Sequence, residues 1–414
     1  MPASSASRTT AATELPRNNG RMKRPLALIA TAGLLLAGCS SGSDGTQPTA
    51  RPPTTSASAT ADPARTPDLK TTVLVKGLQI PWDIAFLPDG SMLYTERDRE
   101  RLTLRKTDGS KKVVLDQPAG MWHQGETGLE SVILAADFET SNDIITCHGF
   151  RDSSTQDVRV VRWHLAKDKA TFVRNLVTGL PSSSGRHGGC ALEHGKDGDL
   201  YVGTGDAAVG TNAEDLDSGG GKVLRIDDST GKGLSNNPFA DSGNAMKQRI
   251  WSYGHRNVQG LAYRPADGTV WSVEHGSYRD DEVNPSVRGG DFGWNPVPGF
   301  NESVPMTDQS LPGTQTEAAW SSGKTTLATS GGTFLTAAKW GNWRGQLAVA
   351  SLKDESLHIL FFDKAEKFTK ELNVKSLKGK YGRLRATVEG PDGALYVTTS
   401  NGNDDKILRI APAA

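Results

Sequence analysis

Five short segments of this 414-residue chain crowd polar side chains among glycines and apolar runs. In SSSGRHGGCALEH (182–194), His187 stands just before an apolar stretch, where a ligand or a second backbone can come close. An imidazole there can accept a proton near neutral pH, the task of a general base; alone, it is equally an ordinary loop histidine. In IWSYGHRNVQG (250–260), Arg256 offers a fixed fork of donors to an anionic oxygen, and Asn257 can orient one more acceptor. The alternative there is a structural network at a corner of the fold. In EHGSYRDDEVN (274–284), Glu274, Asp280, Asp281 and Glu282 bring hard oxygen ligands near Gly276. That set suits Ca²⁺ better than a transition metal, although it lacks EF-hand spacing and acidic runs are commonly solvated. Lys353 follows an apolar run in SLKDES (351–356), and Arg383 and Arg385 flank Leu384 in YGRLRATVEG (381–390). A period of two predicts both guanidinium groups on one face of a strand. Two such cations repel unless an anion lies between them, and a ligand with several carboxylates is the simplest such anion; separate acidic partners are the alternative.

These residues need a scaffold that gathers them at one place. From about Leu69 onward, short runs of β-branched and apolar residues are broken by Gly, Asp, Asn and Pro, and no long 3.6-residue periodicity appears. A unit recurs in which an acidic-Gly turn launches a strand: LPDGSMLYTE (87–96), GKDGDLYVGTGD (195–206), PADGTVWSVEHG (265–276) and PDGALYVTTSNG (391–402). WRGQLAVASLK (343–353) is a degenerate copy. The glycine supplies the backbone freedom of a tight hairpin, and the following run reads as an inner strand of a propeller blade. The uneven spacing of the copies implies degenerate blades between them. Blades of about 40–50 residues make residues 69–414 an all-β propeller of six to eight blades; a β-sandwich array is the other architecture with this rhythm.

Bulk charge names no partner: Lys plus Arg and Asp plus Glu both total 47, so no basic excess points to nucleic acid. The N-terminus is more specific. Lys23 and Arg24 precede an apolar run, Pro25 to Leu36, that ends in Leu36-Ala37-Gly38-Cys39. The run is shorter than the roughly 20 residues of a spanning helix and reads as a signal peptide over residues 1–38, with Cys39 as a lipidated mature N-terminus. Met22 is an alternative start, which makes 1–21 an extension. Residues 39–68, rich in Ser, Thr, Pro and Ala, read as a tether that cannot bury enough surface to fold. The expected location is therefore outside the cytoplasm, held on the cell membrane by lipid. Cys147 and Cys190 are candidates for a disulfide there, or for two separate buried thiols.

Taken in order, GLQIPWDIAFLPDGSMLYTER (77–97), GETGLESVILAADF (125–138), HGGCALEHGKDGDLYVGTGD (187–206), GKVLRID (221–227), YGHRNVQGLAY (253–263) and EHGSYRDDEVN (274–284) resemble the soluble quinoprotein glucose dehydrogenase and aldose sugar dehydrogenase family, the glucose/sorbosone dehydrogenases. The resemblance covers nearly the whole folded part. It implies a six-bladed β-propeller binding pyrroloquinoline quinone (PQQ) and Ca²⁺ over its channel and oxidising aldoses at the anomeric carbon to lactones, with electrons passed to an external acceptor. It also implies residue roles. His187 is similar to the family's base, Arg256 and Asn257 to the pair at the quinone oxygen, and Gly276 and Ser277 to the carbonyl ligands of Ca²⁺. Lys353, Arg383 and Arg385 match cofactor partners, with Glu126 and His275 bordering them. Three positions depart from the family pattern. Arg186 puts a cation beside the base, where a small polar or acidic residue is frequent, while Glu126 and His275 stand where Gln is common. Unless it binds metal or is protonated, Glu126 adds negative charge beside an anionic cofactor. A non-catalytic surface propeller that binds carbohydrate or protein is the alternative these departures suggest.

Overall fold

A computed structural model describes residues 65–413, so the expected signal peptide, Cys39 and most of the expected tether lie outside the described residues. Strand structure begins at Leu69, the expected boundary. Six four-stranded antiparallel sheets follow one another along the chain. Blades 1 to 5 use consecutive strands within 81–116, 129–180, 189–253, 258–321 and 329–373. Blade 6 joins the three C-terminal strands, 384–412, to Leu69–Leu78, which pairs antiparallel with Asp405–Pro412 and closes the ring. The six innermost strands are Pro81–Phe86, Leu129–Leu134, Gly189–His194, Val258–Arg264, Thr329–Phe334 and Leu384–Glu389. Each touches the next around a central cavity of about 340 Å³. This is a six-bladed β-propeller.

The recurring acidic-Gly turn has a definite place in it. In five blades it joins the innermost strand to the second, so the strand it launches, such as Met92–Glu96 or Leu200–Thr204, is the second strand and not the inner one expected. Blade 2 lacks the motif because a short helix, Phe138–Ser141, makes the corresponding connection. It is the one blade without a recognisable copy. The wide gap between the copies in blades 3 and 4 holds long loops in place of a blade.

Separate apolar clusters fill the spaces between blades. Leu93, Leu102, Ile144 and Trp163 join blades 1 and 2; Trp271, Val283, Phe334 and Leu360 join blades 4 and 5. At about 1.5–3 kcal/mol for each fully buried large side chain, these interfaces dominate the stability of the ring. Cys147 and Cys190 are bonded to each other and link the second strand of blade 2 to the innermost strand of blade 3.

One irregularity repeats in every blade. Pairing between the first and second strands slips by a residue near the start of the inner strand: between Pro81 and Ile84, Leu129 and Val132, Gly189 and Ala191, Val258 and Gly260, Thr329 and Gly332, and Leu384 and Thr387. Such bulges bend a strand and re-aim the side chains on it. All six lie at the same mouth of the channel, where the inner strands begin and the second strands end.

Candidate active site

His187 lies in a left-handed turn (φ 51°) directly before the inner strand of blade 3, and it is 3% exposed. A non-glycine residue there carries strain that its surroundings must hold in place. Gly205 permits this, because any side chain on it would collide with the His187 carbonyl and crowd the Asn257 amide. The ring is oriented by Asp206, fully buried, whose Oδ1 lies 2.8 Å from His187 Nδ1. Asp206 in turn accepts from Trp294 Nε1 at 2.7 Å and from the Ala208 amide at 2.7 Å. On the far side, Arg256 Nη2 lies 3.1 Å from His187 Nε2. A carboxylate at Nδ1 and a guanidinium donor at Nε2 select the neutral tautomer with its proton on Nδ1 and a lone pair on Nε2 facing the mouth. That is the state a general base needs.

Arg256 and Asn257 come from the turn that enters the inner strand of blade 4. Arg256 also donates to the His275 carbonyl at 2.9 Å and to Glu302 at 2.5 Å. Glu126, from the loop between blades 1 and 2, accepts from the Asn257 amide at 3.0 Å, the Gln259 amide at 3.3 Å and the His187 backbone N–H at 3.2 Å. Burial opposes its charge, but the Asn257 amide and the Arg385 guanidinium favour it, and the carboxyl is held below its usual range. Glu126 therefore keeps its charge, satisfied by three protein donors. Burial, with Arg256 beside it, pushes His275 down to about 3, so its ring is neutral.

The two arginines of blade 6 differ in burial. Arg385 sits in the bulge of its inner strand and points inward, 4% exposed, whereas Arg383 precedes the strand and is exposed. The one-residue slip between Leu384 and Thr387 interrupts the strand alternation at Arg385. Arg385 donates to Gln259 Oε1 at 3.0 Å, Ser330 Oγ at 3.3 Å and Ser400 Oγ at 3.2 Å, and stacks 3.5 Å from the centre of the Trp82 ring. Among the described residues no carboxylate pairs with it, and burial followed by the charge of Arg97 lowers its pKa to about 9. Lys353 is exposed at the end of the second strand of blade 5, at the same mouth.

The acidic run of blade 4 is not a carboxylate cage. Glu274 binds His255 Nδ1 at 2.9 Å and the Arg256 amide, and Glu282 accepts from Asn284. Asp281 accepts from Gly276, Thr326, Leu327 and Ala328. Asp280 bonds Ser321 and Arg279. Each of these acids already has partners within the protein, and among the described residues no three His, Cys, Asp or Glu side chains gather at a metal-sized site. Gly276 and Ser277 still face the mouth. Gly276 is tightly turned, since a side chain on it would strike the Arg279 and Asp280 carbonyls. Four buried polar atoms here have no partner: Arg256 Nε, Asn257 Oδ1, His275 Nδ1 and Ser277 Oγ. Buried polar groups are seldom left unpaired, so such a concentration marks a surface shaped for a polar ligand.

Sequence reasoning missed Asp206, Gln259 as a bridge, Trp82, Trp294 and Glu302. Asp206 lay in the quoted GDLYVGTGD run, where an acid directly after a strand was the available signal.

A propeller with a carboxylate-oriented histidine base and a cationic, polar mouth defines a class of propeller oxidoreductases. Residues 78–409 match the Glucose / Sorbosone dehydrogenase family model, and the chain belongs to that family. It is 31% identical over 350 residues to aldose sugar dehydrogenase YliI of Escherichia coli, covering 82% of this chain and 92% of that protein. The apo crystal structure of the soluble aldose sugar dehydrogenase from Escherichia coli superposes with a TM-score of 0.75 at 29% identity, covering 84% of this chain and all of that one. The PQQ-bound aldose sugar dehydrogenase of Streptomyces coelicolor gives 0.69 at 27% identity, covering 84% and 99%.

Proposed function

We propose that this protein is a PQQ- and Ca²⁺-dependent aldose dehydrogenase, and the observation that carries the reading is Arg385. A buried guanidinium that forms no salt bridge among the described residues, facing the mouth, calls for an anionic ligand. PQQ is a planar tricarboxylate, and Lys353 and Arg383 stand at the same rim without acidic partners among the described residues. The unpartnered donors Arg256 Nε and Ser277 Oγ fit the same group. The carbonyls of Gly276 and Ser277 accept no hydrogen bond among the described residues and would hold Ca²⁺.

When bound, PQQ supplies the two-electron acceptor for hydride leaving the anomeric carbon. His187 Nε2 takes the proton of the anomeric hydroxyl, so that no free alkoxide need form. Asp206 holds the imidazole in the receiving tautomer and balances the imidazolium as it appears. Arg256 and Asn257 present donors to negative charge developing at the mouth. Glu126 fixes the Asn257 amide and the His187 backbone, keeping both in register.

We further propose an extracytoplasmic enzyme, held on the cell membrane through a lipid on Cys39, which passes electrons to an external acceptor. The signal sequence and the polar tether support it. Replacing Cys39 by Ala should move the protein from the membrane to the soluble fraction.

Absorbance titration of the apoprotein with PQQ in Ca²⁺ tests the central reading. Saturable binding, lost in Arg385→Ala, together with aldose-dependent dye reduction, is expected. Glycan binding without PQQ binding would overturn it in favour of a non-catalytic propeller.

A further inference from the structure

Between the third and fourth strands of blade 4 lies a long loop, residues 286–319. The loop is fastened to the base. Trp294 donates to Asp206, and Trp294 and Met306 form a small buried cluster with Ala213, against which Phe300 and Val304 pack. Phe292 stacks on His255 with ring centres 4.5 Å apart. The loop thus carries Phe300 to 5.8 Å from the His187 ring, and Glu302 to 2.5 Å from Arg256 and 3.3 Å from Arg186. Arg186 Nη2 is itself 3.5 Å from His187 Nε2. The departure at Arg186 therefore has a counter-charge in a part of the chain that no motif marks.

We propose that Glu302, held by Arg186 and Arg256, is the specificity-determining residue of the sugar pocket and accepts a hydrogen bond from the C2 hydroxyl of the aldose. The inference rests on the dehydrogenase reading above. The anomeric hydroxyl must reach His187 Nε2, the atom both arginines approach, and Glu302 stands one bond further out through either of them. In a sugar the next hydroxyl is likewise one step beyond the first. A carboxylate is an acceptor only, so it suits a neutral polyol and disfavours an anionic group at C2. Burial opposes the charge on Glu302, but Arg256 and Arg186 hold its carboxyl below the usual range, leaving it ionised at neutral pH. Its side chain is 18% exposed, so a ligand entering the mouth can reach it. Phe300 offers an apolar face to the C–H side of the sugar ring.

The test compares wild type, Glu302→Ala and Glu302→Gln. PQQ loading is followed by absorbance, and kcat/KM is then measured for an aldose and its 2-deoxy counterpart. Wild type should prefer the aldose by about 10- to 100-fold, the worth of a hydrogen bond to a charged acceptor. Glu302→Ala should reduce that preference to within about threefold, and Glu302→Gln, which keeps an uncharged acceptor, should fall between. Equal losses with both sugars would overturn the proposal, showing that Glu302 acts only through Arg256. So would an unchanged preference, or PQQ loading that fails in both variants. A wild-type protein that neither binds PQQ nor oxidises any aldose would remove the dehydrogenase reading itself, and this inference with it.

Discussion

His187 has value only through the atoms that hold it. Asp206 fixes which nitrogen carries the proton, and Arg256 marks the nitrogen that is free to take one. His187→Ala should lower kcat/KM by about 10²- to 10⁴-fold, the usual worth of a positioned base. Asp206→Asn keeps the shape but removes the charge that balances the imidazolium, so kcat should fall with PQQ affinity retained. An equal loss of PQQ binding would mean that Asp206 only supports the loop. A second histidine has a stability role. His148 is fully buried in blade 2, and burial followed by the nearby Arg159 pushes its pKa down from 6.5 to about 3. Below pH 6.5 the unfolded chain takes up a proton that the folded chain refuses, so stability is lost as pH falls from 6.5 toward 3 and is fully present above 6.5. Urea unfolding at stepped pH should show His148→Gln free of this contribution, the gap from wild type changing by about 1.4 kcal/mol per pH unit.

At the scale of elements, the bulge at the start of each inner strand sets the site. It turns Arg385 and Gln259 inward and leaves Arg383 outside, although the sequence alternates through this segment. The Cys147–Cys190 bond ties blade 2 to the strand that His187 precedes, closing a separation of 43 residues. Replacing both cysteines by Ser should cost about 2–5 kcal/mol and lower the Tm. Because Cys190 is three residues from His187, activity at temperatures well below the new Tm should fall as well. Thermal melts beside dye-reduction rates separate the two effects.

Across the whole molecule, the ring is held shut by one strand from the N-terminal side. Leu69–Leu78 completes blade 6, with Val75 and Leu78 buried against Ile84, Tyr94 and Ile407. A protein starting at Arg65 should fold and unfold cooperatively. One starting at Gln79 leaves an open sheet edge and an exposed apolar seam, and should lose its sharp transition and aggregate. Circular dichroism melts of the two proteins check this.

Much of this was legible in local sequence. Turn chemistry is local, so the repeated acidic-Gly turns announced blades and Leu69 announced where folding starts. A histidine among glycines, an Arg-Asn pair and several cations likewise pointed to one polar cluster, because residue type alone limits what such groups can do. Only the tertiary structure decided the rest. Asp206 and Glu302 meet His187 and Arg256 across 19 and 46 residues, and no local period encodes such contacts. A one-residue slip in pairing sets Arg385 in a buried bulge, and neighbouring side chains and backbone amides already claim the acids of blade 4. The number of blades was settled by closure, since a ring is complete only when its last sheet finds its first strand.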